Sequence, residues 1–448
     1  MSASITDKDV QPLAALTRSE RLDRLAFNAR HRRLLVGSGV GWALDAMDVG
    51  LISFVMAALA TQWGLSATQL SWIGSIGFVG MAIGASVGGL LADRLGRRNV
   101  FALTLLVYGV ATGAAGLSTG IAMLIVLRFV VGLGLGAELP VASTLVSEYA
   151  PSRIRGRIVV ILEAFWAVGW ILAALIGYFV VPASENGWRW ALFLGIVPAL
   201  YAVVVRAGLP ESVRFLESRG RTAQAEAAVR SFEAASGVAP VPSPVAQVQS
   251  RPSWSALWDR SLRRRSAALW VTWFGVNFSY YGAFIWIPSL LVADGFSLTK
   301  SFGFTLVITL AQLPGYAAAA LLIERWGRRA TLASFLLGSA ASAVLFGQAG
   351  SEAAIIAAGC ALSFFNLGAW GALYAVTPEV YPTALRGSGA GSAAAFGRIA
   401  SILAPLSVPW LLGAGGHGLV FGVFGAAFVV AALAALALPE WRGRALAD

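Results

Sequence analysis

Six ionisable residues stand inside long apolar runs of this 448-residue chain: Asp45, Asp48, Arg128, Glu138, Glu163 and Arg398. A charge held in hydrocarbon is expensive, so each marks a functional hypothesis by default. Asp45 and Asp48 are three residues apart and therefore occupy neighbouring positions on one helix face. Two carboxylates this close in a low-dielectric site resist ionising together, which suits a proton carrier. Arg128 comes within side-chain reach of Asp48 if their two helices are neighbours. Making or breaking that pair is worth about 1.4–4 kcal/mol, enough to couple proton release to a conformational change. A static ion pair locking two helices is the plainer reading of the same residues.

Glu138 and Glu163 have three open roles: second proton site, substrate contact, or partner for Arg398. An isolated arginine such as Arg398 suits an anionic substrate held through a bidentate contact, with a structural pairing as its alternative. Aromatic and amide side chains complete a pocket: Asn277, Tyr280, Tyr281 and Trp286 in one run, Asn366, Trp370 and Tyr374 in another, and Trp166 and Trp170 in a third. Asn366, Trp370 and Tyr374 are spaced i, i+4, i+8 and share a face. Small-molecule sites have this make-up, mostly apolar and aromatic with a few orienting polar groups. Taken singly, each tryptophan fits an interfacial aromatic belt equally well.

The elements that must position these residues are membrane spans. Hydrophobic residues form 58% of the chain and charged residues only 12%, with a mean hydropathy of +0.74. A soluble domain is about a quarter charged. Runs long enough to cross about 30 Å of hydrocarbon lie near 34–60, 69–91, 100–119, 121–145, 158–181 and 189–206, then near 267–291, 301–323, 330–349, 352–376, 388–412 and 417–437. The expected fold is an all-α membrane protein with twelve transmembrane helices in two pseudo-symmetric six-helix bundles, 34–206 and 267–437. Residues 1–33, 207–266 and 438–448 form an N-terminal segment, a linker and a tail. A helix is expected from Thr222 to Ser236, followed by a Pro/Val/Ser stretch that reads as a flexible linker. Leu22, Leu25, Ala26 and Ala29 have helical spacing amid arginines and suggest a segment lying along headgroups. The first apolar run carries two aspartates, so it reads as a retained span rather than a cleaved signal.

Basic residues set the orientation. With a cytoplasmic N-terminus, Arg94, Arg97, Arg98, Arg153, Arg155, Arg157, Arg325, Arg328, Arg329, Arg442 and Arg444 all fall inside, and the outer loops hold Arg189 and Lys300. Both termini are expected to be cytoplasmic, and the charge of +11 reads as topology rather than as a nucleic-acid footprint. The single cysteine, Cys360, excludes an intramolecular disulfide. His31 and His417 form no metal motif, and no nucleophile–base pair or phosphate loop points to an enzyme or a cofactor. The Gly132-Leu133-Gly134-Leu135-Gly136 run serves close helix approach.

The chain repeats itself. Asp93-Arg94-Leu95-Gly96-Arg97-Arg98 recurs as Glu324-Arg325-Trp326-Gly327-Arg328-Arg329, an offset of 324 − 93 = 231. Glu148, Pro151, Arg155 and Gly156 recur as Glu379, Pro382, Arg386 and Gly387, again 379 − 148 = 231. Leu209-Pro210-Glu211 recurs as Leu438-Pro439-Glu440 at an offset of 229. Duplicated six-helix halves imply a two-fold axis along the membrane normal and a solute site between the halves. The repeated motif, between the second and third spans, resembles the signature of the major facilitator superfamily. That resemblance implies a cytoplasmic latch that opens in the inward-facing state, built from Asp93, Arg94, Arg97, Arg98, Glu148 and Arg155 and from Glu324, Arg325, Arg328, Arg329, Glu379 and Arg386, with the arginines pairing with Glu148, Glu379 and nearby carbonyls. Gly96 and Gly327 permit its tight turns.

Asp45-Ala46-Met47-Asp48 resembles the Asp–x–x–Asp motif of aromatic-acid:proton symporters. Glu138-Leu139-Pro140-Val141, Glu163-Ala164-Phe165-Trp166, Asn277-Phe278-Ser279-Tyr280-Tyr281-Gly282 and Gly397-Arg398-Ile399-Ala400 are similar to strings in bacterial niacin transporters and synaptic vesicle glycoprotein-like carriers. Pro210-Glu211-Ser212-Val213-Arg214 resembles the sugar-porter signature, with Val213 at the usual proline. The resemblance implies a monomeric, proton-coupled carrier of an aromatic monocarboxylate, nicotinate foremost, in a bacterial inner membrane. A sugar or polyol symporter and an organic-cation exporter are the alternatives. A sugar site needs many amides, and the seventh and tenth spans offer chiefly Asn277 and Asn366.

Overall fold

The computed structural model describes residues 16–243, 254–382 and 385–440; the side chains of Leu139, Pro140, Trp254, Arg386 and Gly387 lie outside that description. It is all-helical, with no strand among the described residues. A short α1 (Arg18–Asp23) precedes the amino-terminal half: α2 (Ala29–Gln62), α3 (Ala67–Leu95), α4 (Arg97–Ala115), α5 (Ile121–Tyr149), α6 (Arg155–Phe179), then α7 (Gly187–Leu194) and α8 (Val197–Gly208), which together make the sixth span. Two linker helices follow, α9 (Val213–Ser218) and α10 (Thr222–Ser236). The second half holds α11 (Arg263–Ala293), α12 (Leu298–Leu310) with α13 (Gln312–Trp326) as one span, α14 (Arg328–Gly347), α15 (Glu352–Val376) and α16 (Arg386–Ala435).

The last of these looks like one helix of 50 residues, yet Gly415 and Gly416 leave helical geometry inside it. Gly416 sits at φ 62°, ψ −159°, a conformation that glycine adopts at no steric cost. The chain breaks there into the eleventh and twelfth spans. Elsewhere the ends are set by local chemistry. Ser66 caps α3 and Gln69 caps back, and Ser297 and Ser351 cap α12 and α15.

Small residues draw the helices together. A Cβ on Gly132 would fall 2.0 Å from the Gly77 carbonyl oxygen, and one on Gly136 2.0 Å from that of Met81. The glycine run of α5 is therefore the seat of α3. Across the plane between the halves, α2 packs on α11, α3 on α16 and α6 on α12. Ser75 donates to the Ile402 carbonyl at 3.1 Å, Phe78 meets Tyr281 at 4.6 Å and Phe54 meets Phe302 at 5.1 Å. These contacts tie the two halves together.

The linker does not float. Arg21 of α1 is fully buried and binds Glu233 at 2.6 Å and Glu226 at 2.9 Å of α10, while Arg18 binds Glu217 and Glu226. Leu22 and Leu25 are buried with them. Of the four residues read as one apolar face, Leu22 and Leu25 pack into the protein beside the linker helix, while Ala26 and Ala29 are exposed.

Candidate functional site

The intramembrane charges fall into three groups. In the first, Asp48 near the middle of α2 accepts from Arg128 Nη1 of α5 at 2.9 Å and from Thr112 Oγ1 of α4 at 2.5 Å. All but a few per cent of each charged residue is buried. Both carboxylate oxygens are thus engaged, by a cation and a hydroxyl. Thr112 carried no signal of its own in the sequence.

One turn earlier, Asp45 faces α5 at a different residue. Its carboxyl and that of Glu138 lie at hydrogen-bonding range of each other, with the Tyr108 hydroxyl of α4 beside Asp45. Neither carboxylate carries a donor when ionised. Asp45 Oδ1, both Glu138 oxygens and the Tyr108 hydroxyl are buried without a hydrogen-bond partner. Glu138 is wholly buried and abuts Gly41, where a Cβ would stand 2.9 Å from its Oε1. Glu138, left open in the sequence between a second proton site, a substrate contact and a partner for Arg398, is placed with Asp45. Tyr108 and Thr112 are i, i+4 on α4 and face the two aspartates, a spacing that could have marked them.

The third group lies between the halves. Glu163 of α6 is next to Trp42 and Tyr374, and Arg398 of α16 stands within electrostatic reach of Asp45, Glu163, Tyr281 and Tyr374. Arg398 Nη1 is buried without a hydrogen-bond partner. Around it runs a continuous set of rings. Trp42 meets Trp166 at 5.1 Å, and Trp166 Nε1 donates to the Tyr280 hydroxyl across the dividing plane at 3.1 Å. Tyr280 meets Tyr281 at 4.9 Å and Trp370 at 5.7 Å; Trp370 stacks on Tyr374 at 5.7 Å, and Trp273 closes on both at 5.6 and 5.3 Å. Trp42 and Trp273 joined this set without being singled out in the sequence. Trp42 precedes Asp45 by three residues and shares its face.

The amides divide. Asn277 Nδ2 donates to the Trp273 carbonyl at 2.8 Å and its Oδ1 accepts from Ser401 at 3.0 Å. Through these bonds it clamps α11 to α16, and one N–H of Nδ2 and one acceptor site of Oδ1 are left over. Asn366 is fully buried with Oδ1 and Nδ2 both unpartnered, as is Gln312 of α13.

At the basic face two of the ion pairs expected of the duplicated motif form. Arg97 pairs with Glu148 at 3.3 Å and Arg328 with Glu379 at 2.6 Å, each pair internal to its own half. Arg155 pairs with Asp23 near α1 rather than with a glutamate of the motif. Arg94 and Arg325 are exposed, and the Arg386 side chain lies outside the described residues. Among the described residues, Arg157 pairs across the halves with Glu324 at 3.4 Å, both about 70% exposed or more. The third repeat, given no role from sequence, has one. Glu211 Oε1 accepts from the backbone N–H of Arg97 and Arg98 at 2.8 and 3.1 Å, and Glu440 accepts from those of Arg328 and Arg329 at 3.3 and 3.0 Å. Each is an anion on a helix N-terminus. Gly96 and Gly327 sit at φ 94° and 90°, where a Cβ would fall 2.4 and 2.7 Å from the capping carboxylate.

Residues 28–448 match the family of sugar (and other) transporters. A niacin transporter of Acinetobacter baylyi is 48% identical over 432 residues, covering 95% of this chain and 98% of its own. A Bacillus subtilis protein named for niacin/nicotinamide transport is 47% identical over 409 residues, 91% of this chain and 94% of its own. Among solved structures, the partially occluded inward-open xylose transporter of E. coli superposes with a TM-score of 0.75 at 19% identity, over 93% of this chain and all of that one. The last likeness is one of fold.

Proposed function

We propose, from the premise that this chain belongs to the family of sugar (and other) transporters, that it takes up nicotinate or a close aromatic monocarboxylate together with a proton. The face bearing the termini is cytoplasmic in this reading, and the membrane is a bacterial plasma membrane. The observation that carries it is Arg398: a cation whose Nη1 is buried without a hydrogen bond, set among Tyr281, Tyr374 and the Trp166–Tyr280–Trp370 rings. A carboxylate satisfies the guanidinium through charge-assisted bonds, and an aromatic ring matches the walls. Asn366 and Gln312 offer unpartnered amides for a ring nitrogen. With Asn277 partly engaged in joining α11 to α16, few amides are left for the many hydroxyls of a sugar. The similarity to a niacin transporter along nearly the whole chain supports the same solute.

Transport proceeds by alternating access. The Ser75–Ile402 and Phe54–Phe302 contacts on one side and the exposed Arg157–Glu324 contact at the basic face on the other are the two gates between which the halves rock. The test is uptake of labelled nicotinate into proteoliposomes with and without an inward proton gradient. Gradient-stimulated uptake is expected, competed by unlabelled nicotinate and not by hexoses. Arg398→Ala should weaken uptake by about 10- to 150-fold, the loss of a charge-assisted bond of about 1.5–3 kcal/mol. Competition by hexoses, or full activity in Arg398→Ala, would refute the assignment.

A further inference from the structure

Two aspartates one turn apart on α2 have opposite surroundings. Asp48 has everything an ionised carboxylate requires: a guanidinium on one oxygen and a hydroxyl on the other. Asp45 meets a second acid. Among the described residues, no cation forms an ion pair with Asp45 or Glu138, and three of their four oxygens are buried without a hydrogen bond. The groups facing them are the Tyr108 hydroxyl, beside Asp45; Thr104, beside Glu138 but already donating to the Phe101 carbonyl at 2.8 Å; Tyr201 of α8; Asp48 on the same helix; and Arg398, which acts on Asp45 from the other half.

Two ionised carboxylates in contact, out of water and without a counter-ion, bear their mutual repulsion and the loss of hydration together. One proton turns that contact into an O–H···O⁻ hydrogen bond, among the strongest that side chains form. We infer that Asp45 and Glu138 hold a single proton between them and are the proton site of the transport cycle, while Asp48, Arg128 and Thr112 form a standing ion pair that holds α2, α4 and α5 together. The inference rests on the proton-coupled reading above and specifies where the proton rides.

The placement of Arg398 supplies the coupling. It is a cation that acts on Asp45 from the other half, across the plane about which the halves rock. When the substrate carboxylate occupies the guanidinium, Asp45 loses that cation and keeps its proton. When the substrate leaves, Arg398 is free to neutralise Asp45, and the proton departs to water from the Asp45–Glu138 pair. Solute and proton thus favour each other's binding, and the effect is reciprocal by linkage.

Two measurements on the purified full-length protein test this. In proteoliposomes, a gradient of about one pH unit sustains about tenfold accumulation at one proton per solute, equivalent to about 1.4 kcal/mol. Asp45→Asn and Glu138→Gln are expected to exchange labelled nicotinate across the membrane at equilibrium and to lose that accumulation. Wild-type accumulation in Glu138→Gln would overturn the inference, as would selective loss of accumulation in Asp48→Asn alone. Infrared spectroscopy needs no solute. At neutral pH the carbonyl stretch of a protonated, desolvated carboxyl should be present in the wild type and lost or shifted in Glu138→Gln and in Asp45→Asn. The amide bands of the same spectra report an intact helical fold. An unchanged carboxyl band in both variants would overturn the assignment. If the wild type takes up no nicotinate yet its band answers to Glu138→Gln, the substrate reading fails and the proton site stands.

Discussion

The two halves share a scaffold and divide the chemistry. At the basic face they are near copies: a glycine at positive φ, an arginine–glutamate pair, and a glutamate after the last span capping the third. Inside the membrane they differ at nearly every position that matters. At the common offset of 231, Arg128 corresponds to Gly359, Glu138 to Ala369 and Glu163 to Ala394, while Arg398 corresponds to Ala167. Each of these four charges corresponds to an alanine or glycine in the other half, while Asp45 and Asp48 correspond to Val276 and Ser279. The amino-terminal half holds the acids and the second half holds one cation within an aromatic wall. Duplication kept the parts that make a half rigid, and the residues facing the central plane were free to specialise.

The largest break in this division should come from Arg128→Ala, which leaves Asp48 buried with no cation. The expected loss is about 3–5 kcal/mol of stability, read as a lowered thermal midpoint of the purified protein. The double variant with Asp48→Asn should recover most of it. If the single variant melts as the wild type does, the pair is not holding three helices together.

A smaller effect tests the likeness rather than the difference. Gly96→Ala and Gly327→Ala each force a Cβ into a positive-φ position, at a cost of about 1–2 kcal/mol, and each crowds a capping carboxylate. Similar losses are expected in the two halves. A large loss from one and none from the other would show that the two-fold repetition is geometric only.

The smallest effect concerns the one feature without a described counterpart in the second half, the α1–α10 clamp. Burial alone would raise the Glu226 carboxyl, but hydrogen bonds from Arg21 and Arg230 and the contact with Arg18 outweigh it and hold it below the usual carboxylate range. A group lowered by folding stabilises above its ordinary value and stops doing so as pH falls through the lowered one. Amide hydrogen exchange in α10 should therefore rise on acidification below that range, with α14 and α15 unaffected. Equal change in both halves would mean general acid unfolding instead.

Much of the architecture was legible because its signals are periodic and long. Twelve apolar runs, three repeats and the linker helix at Thr222–Ser236 could be read directly, and the spacing of Asp45 and Asp48 together with Arg128 led to a contact that the fold makes. What escaped depended on rotation about helix axes. Asp45 and Asp48 share a face on paper, yet each turns to a different residue of α5. Glu138 and Glu163, equivalent in type, part company because one faces α2 and the other the aromatic wall. Asn277 had the chemistry of a binding residue but spends part of it on a backbone carbonyl and Ser401. Glu211 and Glu440 were visible as a repeat but not as caps, since capping across more than a hundred residues leaves no local pattern.

Those two caps have a mechanical consequence. By gripping the start of the third helix with the residue that follows the sixth, each half fastens its last element to its middle. A bundle closed on itself in this way resists shear among its own helices. Compliance is then left to the plane between the bundles, where Trp166 reaches Tyr280 and Arg398 stands near the acids. Work done by a solute binding at that plane goes into turning one stiff body against another, with little lost in bending either.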